Sequence, residues 1–587
     1  MKIAVPVTLC ALLALSQTAF AAPSQQALKY LGTTRLAPAS SSASQGLGQE
    51  IHPGPEFDAH FDRLAKGSVS PARVPASHVP TPADSAVFGF QADVGFDGLT
   101  HRDQRNASGG NQFSLEPPDQ ALAVGNGYVV EAVNTAIRVR KTDGTIPVPA
   151  VGLNAFFNLA PSIDRSTGVY GPFTSDPKAY YDADTQRWFV TMLEIDQDPA
   201  TGALQGHSSV LIAVSQSADP TGSWYIYSLD TTNAGDPVNH PGCPCLGDQP
   251  LIGADANGFY VTTNEFPLFT SGFNGAQVYA MSKASLESGG PVAAVSFSNI
   301  PLAEGPAYSL QPATTAPGGP HANRQGGTEY FMSALDFNNS LDNRIAVWAL
   351  TNTSTLNSTA PALALQSTII DSQVYGAPPS AQQKPGPLPL AAFIKDGGFG
   401  VKASAQILPL VDGNDDRMQQ VTWADGKLWS SLNTVVKPAN GVVKAGTAYF
   451  IVAPSWNGSA LVGSIVKQGY LSLSNHSLIY PSVGVNSAGK GVIAFSVVGD
   501  SVYPSAAYAP IDAVNGAGAI RFAALGAAPD DGFSGYAFFG SRVGRWGDYS
   551  AAVSDVDGSI WFANEYIPGG TRTLYANWGT FIGHVTP

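Results

Sequence analysis

Three stretches of the chain share one spacing, and that spacing limits the folds open to it. Asp248 opens a short apolar run that turns at Asp255-Ala256-Asn257-Gly258 and returns through Phe259-Tyr260-Val261 to Asn264-Glu265. Asp548 opens Tyr549-Ser550-Ala551-Ala552-Val553, which turns at Asp555-Val556-Asp557-Gly558 and returns through Ile560-Trp561-Phe562 to Asn564-Glu565. Asp176 to Glu194 repeats the scheme with one extra residue, turning around Ala183-Asp184-Thr185-Gln186. Each turn lies midway between two acids, so a hairpin places those acids side by side across its open end. A hairpin unit recurring at such distances along a chain describes a radial or solenoidal β-architecture.

Further units follow the same pattern. Glu116-Pro117-Pro118-Asp119 leads into Ala121-Leu122-Ala123-Val124, a turn at Gly125-Asn126-Gly127, and a return through Tyr128-Val129-Val130-Glu131. Hairpins without the full acid pair start near Arg417 and Tyr480, and one more is expected from about residue 328, with Tyr330-Phe331-Met332 followed by Arg344 to Trp348. Two more strands follow several hairpins, most clearly Val210 to Val214 and Trp224 to Tyr227. Four antiparallel strands per unit, with starts at 119, 176, 248, about 328, 417, 480 and 548, predict an all-β fold. It is a single β-propeller of seven four-stranded blades, with six or eight as the neighbouring counts. The strand near Phe88 is expected to close the ring beside the final strand around 578–582. With 62 Gly, 44 Pro and only 13% charged residues, the composition suits short strands and turns rather than long helices.

Residues 1–21 read as a secretory signal: Lys2, an apolar run from Ile3 to Leu15, and the small-x-small site Ala19-Phe20-Ala21. A secreted or periplasmic product follows, with no later transmembrane segment, and a monomer is expected. Residues 22–84 read as a weakly ordered, low-complexity linker or pro-segment, and 85–587 as the propeller domain. The net charge of −14 argues against nucleic acid as a partner. Cys243 and Cys245 are the cysteines outside the signal, and in an oxidising compartment they read as a local disulfide; free thiols and a metal or redox role are the alternatives.

In a propeller the first strands run the same way along a central channel, so their leading residues ring one mouth. Asp119, Asp176, Asp248 and Asp548 hold that register, with Glu194, Glu265 and Glu565 behind them. Three readings follow. The acids cap and brace the backbone; or Asp119, Asp176, Asp248 and Asp548 hold a hard cation such as Ca²⁺; or a pair from these Asp residues, Glu265 and Glu565 does acid–base work on a glycosidic bond. Arg417, Arg545 and Trp546 stand as candidate ligand-binding residues at the same mouth. The strand tryptophans Trp188, Trp224, Trp348, Trp429 and Trp561 read as packing between blades. No serine-hydrolase elbow, P-loop or dinucleotide fingerprint occurs.

Four segments resemble a broad group of secreted β-propeller repeat proteins without settled activity. They are Glu116 through Gly125, Arg187-Trp188-Phe189-Val190, Ser217-Ala218-Asp219-Pro220-Thr221-Gly222, and Arg545-Trp546-Gly547-Asp548-Tyr549-Ser550. The resemblance implies the fold and brings no catalytic set. A sialidase Asp-box is approached by Ser554, Gly558 and Trp561, but Val556 takes the Asp position. The expected function is binding of a glycan or surface protein at the acidic mouth. A glycan-active hydrolase or lyase is the alternative.

Overall fold

The computed structural model describes residues 23–36, 74–88, 95–303, 305–335, 340–400, 402–570 and 572–587. The signal at 1–21, and 37–73 of the expected linker, lie outside them. The chain is all-β, and its principal strands form seven successive four-stranded antiparallel sheets. The first sheet comprises Gln120–Gly125, Tyr128–Val133, Ala136–Lys141 and Val148–Gly152. The second comprises Phe173–Asp182, Arg187–Gln197, Leu204–Ser215 and Ser223–Asp230; the third Cys245–Ala254, Gly258–Pro267, Gly275–Ser282 and Ala293–Phe297. The fourth runs through Gln311–Thr315, Thr328–Ser333, Asp342–Thr351 and Ala364–Tyr375. The fifth contains Met418–Ala424, Lys427–Val436, Lys444–Asn457 and Ala460–Leu471; the sixth His476–Val485, Lys490–Gly499, Ser505–Asp512 and Ile520–Ala524. The seventh joins Ala551–Ser554, Ile560–Tyr566 and Gly579–Val585 to Gly95–Thr100 from the front of the chain.

The tight turns follow from local chemistry. Asn126-Gly127 and Asp425-Gly426 both take positive φ, the combination a two-residue hairpin turn needs. Asp255 Oδ1 accepts the backbone N–H groups of Asn257 and Gly258 at 2.8 and 2.6 Å, which fixes the turn of the third sheet.

Each first strand neighbours the first strand of the next sheet, and that of the seventh neighbours that of the first. Where first strands pair directly, third with fourth and fourth with fifth, they run parallel. The core repeats the same cycle. Apolar side chains interleave between sheets one and two around Trp188 and Trp224, between three and four around Trp348, and between five and six around Trp429. Phe189 and Phe259 stack at 4.7 Å between two and three, and Tyr508 meets Phe562 between six and seven. Between seven and one, Leu122 and Val124 pack against Trp561 and Ile582. Each sheet is apolar on both faces, and neither face is covered unless the sheets stand side by side.

Four expectations need correction. The fourth sheet begins at Gln311–Thr315, not near 328. Thr328–Ser333 is its second strand, and the sequence signal is weak because the first strand is short and carries Pro312. The strand beside Gly579–Val585 is Gly95–Thr100, whereas Val87–Phe88 pairs with Ile520 and Arg521 on the sixth sheet. Within the supposed linker, Ser24–Ala27 adds an edge strand to the third sheet and Lys29–Arg35 one to the second. A short, polar edge strand needs only backbone pairing, so its side chains carry no burial pattern to read. The acids are also not side by side across the hairpins: Asp248 pairs with Asn264, and Glu265 with Gly247.

Candidate functional site

The starts of the first strands share one end of the molecule, and that end also collects the long connections between sheets. These are 153–172, 231–244, 298–310, 376–417 (with the helix Pro389–Lys395) and 525–550, against only 472–475 between the fifth and sixth sheets. The opposite end holds the tight hairpin turns. A scaffold that is regular at one end and elaborated at the other directs attention to the elaborated end.

At that end the first strands are bulged. The second sheet slips register between Ser175 and Lys178, the third between Asp248 and Leu251, the fifth between Met418 and Val421, and the sixth between Ile479 and Ser482. Asp176, Gln249 and Tyr480 sit inside these bulges at positive φ, each followed by proline. Asp176 is therefore equivalent to Gln249, not to Asp248. A one-residue offset turns a side chain to the other face of its strand, which is why Asp248 leaves the cluster the sequence assigned to it.

Asp119, Asp176 and Asp548 do converge, with one oxygen of each within 4.8 Å of the others. Asp548 donates its backbone N–H to Asp119 Oδ1 at 2.6 Å, and Asn134 Nδ2 donates to Asp119 Oδ2 at 3.0 Å. Two cations flank the group. Arg545 Nη2 lies 3.8 Å from Asp548 Oδ2. Lys178 Nζ sits 2.9 Å from the centroid of the Tyr549 ring, whose hydroxyl donates to Pro177 O at 2.8 Å. Asp119 and Asp176 are buried, while about a fifth of the Asp548 and Arg545 side chains is exposed.

These contacts set the proton affinities. Burial, then the charges of Asp548 and Asp176, raise the Asp119 carboxyl well above its usual range. Burial also raises Asp176, opposed by Ser175 and Arg545. Burial lowers the Lys178 ammonium to about 7, even with the three aspartates pulling the other way. The cluster thus holds carboxyls whose proton affinity is raised and an amine that is partly neutral at neutral pH.

The remaining candidates lie elsewhere. Glu265 is bound by His240 at 2.8 Å, by Asn274 at 2.9 Å and by Asn233. Glu565 is buried, and burial followed by the charges of Asp530, Glu116 and Asp119 holds its proton affinity well above normal. Glu194 accepts from Ser209 at 2.7 Å and neighbours Asp196 and His207. Arg417 is only 1% exposed. It is bound twice by Asp415 at 2.8 Å and once by Gln249 at 2.5 Å, and lies 5.1 Å from the Tyr308 ring centroid. Trp546 is also 1% exposed and packs among Leu99, Ile567 and Trp578. Of the three residues expected to meet a ligand, only Arg545 faces the cluster with surface to offer. Cys243 and Cys245 are joined as a disulfide with an S–S distance of 1.94 Å.

Lys178, Tyr549 and Asn134 escaped the sequence reading. In a chain with so few charges, a lysine two residues after Asp176 in a first strand was the available signal. Below the cluster, Lys178, Gln120, Gln311, Gln420 and Ser550 line a channel whose free space is about 70 Å³, room for a few waters.

Comparison with known proteins yields only distant likeness. No protein-family model matches the chain, and no curated protein matches it in sequence. Among solved structures, a Hadza microbial sialidase aligns at 10% identity over 78% of this chain and 76% of its own, with a TM-score of 0.32. Trypanosoma rangeli sialidase aligns at 9% identity over 72% and 56%, with a TM-score of 0.31. An exo-β-1,3-galactanase from Clostridium thermocellum aligns at 10% over 83% and 99%, with a TM-score of 0.26. Scores this low lend neither a fold nor an activity to this chain.

Proposed function

We propose that this chain is an exported, seven-bladed β-propeller that binds a glycan on the face where its long loops gather. Asp119, Asp176, Asp548, Arg545 and Lys178 form the binding centre. The observation that carries this reading is the meeting of three aspartates, from the first sheet, the second sheet and the entry to the seventh, beside a partly exposed arginine. The seven-blade count draws on the cyclic order of first strands and of the apolar clusters between sheets. Export draws on residues 1–21.

Asp548 with Arg545 offers a surface acceptor and donor side by side, backed by the buried carboxyls of Asp119 and Asp176. That combination suits the hydroxyls of a neutral sugar. The ligand rests on the mouth, where Asp548 and Arg545 are partly exposed. A Ca²⁺ ion is not needed to bring positive charge to the site, because Arg545 stands beside Asp548 and Lys178 adds the fraction of its charge that it keeps. The enzymatic alternative would use the same acids. Binding is the reading favoured because the acids that meet are largely buried and what reaches the surface is Asp548 with Arg545, while turnover of a bound glycan is what would favour the enzymatic one.

The test is a neutral-glycan array followed by titration calorimetry on the best hit. Asp548→Asn and Arg545→Ala should each weaken binding about tenfold or more, with the thermal midpoint within a degree or two of wild type. Wild-type affinity in both variants, or no glycan bound by the wild type, would overturn the proposal. Turnover of the bound glycan, abolished by Asp119→Asn, would replace it with the enzymatic reading.

A further inference from the structure

The connection 231–244, which enters the third sheet at Cys245, carries chemistry that the rim does not use. Its two cysteines are joined across a single residue. A cross-link closing so small a loop removes little freedom from the unfolded chain, so its contribution to stability is at the low end for a disulfide. Its surroundings are more specialised than a structural staple needs.

The two sulfurs have different environments. Cys245 is fully buried, whereas Cys243 is half-buried and follows the exposed Pro241-Gly242. Asn274 Nδ2 lies 3.6 Å from Cys245 Sγ and 3.9 Å from Cys243 Sγ, and also contacts Glu265 Oε1 at 2.9 Å and Pro241 O at 3.1 Å. Glu265 Oε1 lies 3.9 Å from Cys243 Sγ. His240 Nδ1 stands 2.8 and 3.0 Å from the two Glu265 oxygens. Burial works against the charged imidazole, but the Glu265 contact prevails and His240 holds its proton more tightly than usual. A buried carboxylate–imidazole pair therefore holds a proton beside the accessible sulfur.

Opening a disulfide requires an accessible sulfur to attack, a stabilised thiolate to leave, and a proton for the thiolate released later. All three are present. We infer that Cys243–Cys245 is a thiol–disulfide exchange centre whose partner is a dithiol or the thiol pair of another exported protein. The partner's thiolate attacks Cys243 Sγ, the S–S bond breaks, and Cys245 leaves as a thiolate that receives the Asn274 N–H. The partner's second thiolate then attacks its own sulfur in the mixed disulfide and displaces Cys243, which takes a proton from the His240–Glu265 pair. Two electrons reach the chain and the partner is oxidised to its disulfide; the partner's two thiol protons go to solvent, and solvent re-protonates the His240–Glu265 pair and Cys245. The reverse sequence reduces the partner's disulfide back to thiols and re-forms the Cys243–Cys245 bond.

The experiment uses the full oxidised chain under native conditions. Dithiothreitol serves as the dithiol, and free thiols are counted by alkylation and mass spectrometry. Reduction should proceed with the near-UV circular dichroism unchanged. Asn274→Ala should slow it about tenfold, the worth of one hydrogen bond to a charged sulfur, and Asn274→Gln, which retains the amide donor, should recover part of that loss. With reduced glutathione as a monothiol, the trapped adduct should sit on Cys243. Reduction only on unfolding, an adduct on Cys245, or a wild-type rate in Asn274→Ala would each overturn the inference. The site of the adduct is read on the wild type, so it decides even where a variant folds poorly.

Discussion

Asp119 sits in a balance of opposing contacts. Its carboxyl receives N–H groups from Asp548 and Asn134, yet its burial and the charges of Asp548 and Asp176 hold it above the normal range. Glu194 shows the same balance in a form that can be measured. Burial raises it from 4.5 to about 8, Asp196 adding to the effect and Ser209 opposing it. Between those two values the folded chain keeps a proton that the unfolded chain has released. Stability from this group is complete below pH 4.5, falls as the pH rises toward 8, and is gone above it. Glu194→Gln has no such proton to lose. The gap between variant and wild-type melting midpoints should therefore shift in the variant's favour from pH 5 to pH 8, as followed by thermal melts at several pH values. Parallel curves would show that the proton is not held there. Arg417 teaches the complementary lesson: a charge at the predicted mouth can be consumed by a neighbouring acid, and Asp415 was a local partner two residues away that the sequence displayed.

At the scale of the element, the hairpins were legible because they carry alternating apolar residues and turn chemistry that leave little choice. What recurs functionally inside them was less legible. The sequence draws the eye to the leading aspartates, but the residue that repeats its role is the asparagine closing the second strand. Asn264 Oδ1 accepts the N–H of Ser309 at 2.9 Å, and Asn433 Oδ1 accepts that of Tyr480 at 2.7 Å. Both partners lie at positive φ at the entry to the following sheet, where the strand ladder is interrupted and the N–H needs another acceptor. Asn134 does the corresponding work within the first sheet, on Asp119. The Asn264 and Asn433 contacts join different sheets, so no local pattern reports them. The bulges are equally silent, and they decide which of two adjacent residues faces the cluster, as with Asp176 and Asp248. Asn433→Ala leaves a buried N–H unpaired and should cost about 1–3 kcal/mol in urea unfolding. A loss under about 0.5 kcal/mol would mean that water or a shift of the bulge replaces the contact.

At the scale of the whole molecule, the seventh sheet joins strands from distant parts of the chain. Gly95–Thr100, the outer strand of the seventh sheet, is held there by more than its ladder. Leu99 donates its N–H to Glu131 Oε1 at 2.8 Å, Thr580 Oγ1 contacts both Leu99 O and Glu131, and Arg138 and Arg140 donate to the carbonyls of Gly98 and Asp97 at 3.2 and 2.8 Å. Residues from the first sheet thus fasten a strand that belongs to the last one, and Gly95–Thr100 completes its ladder only with Gly579–Val585. Gly98 is the point where this seam tolerates least. A Cβ there would stand 2.2 Å from Thr580 Oγ1 and 2.3 Å from Glu131 Oε1, both already committed to the seam. Gly98→Val must therefore displace either the strand or the Glu131 carboxylate, and losing the strand exposes the edge of Gly579–Val585. The expected result is a lower urea midpoint and faster limited proteolysis, with the first cuts within 95–119 or near the C-terminus rather than in sheets three to five. Cuts spread evenly over the described sheets would show that the seam is no weaker than the rest of the fold.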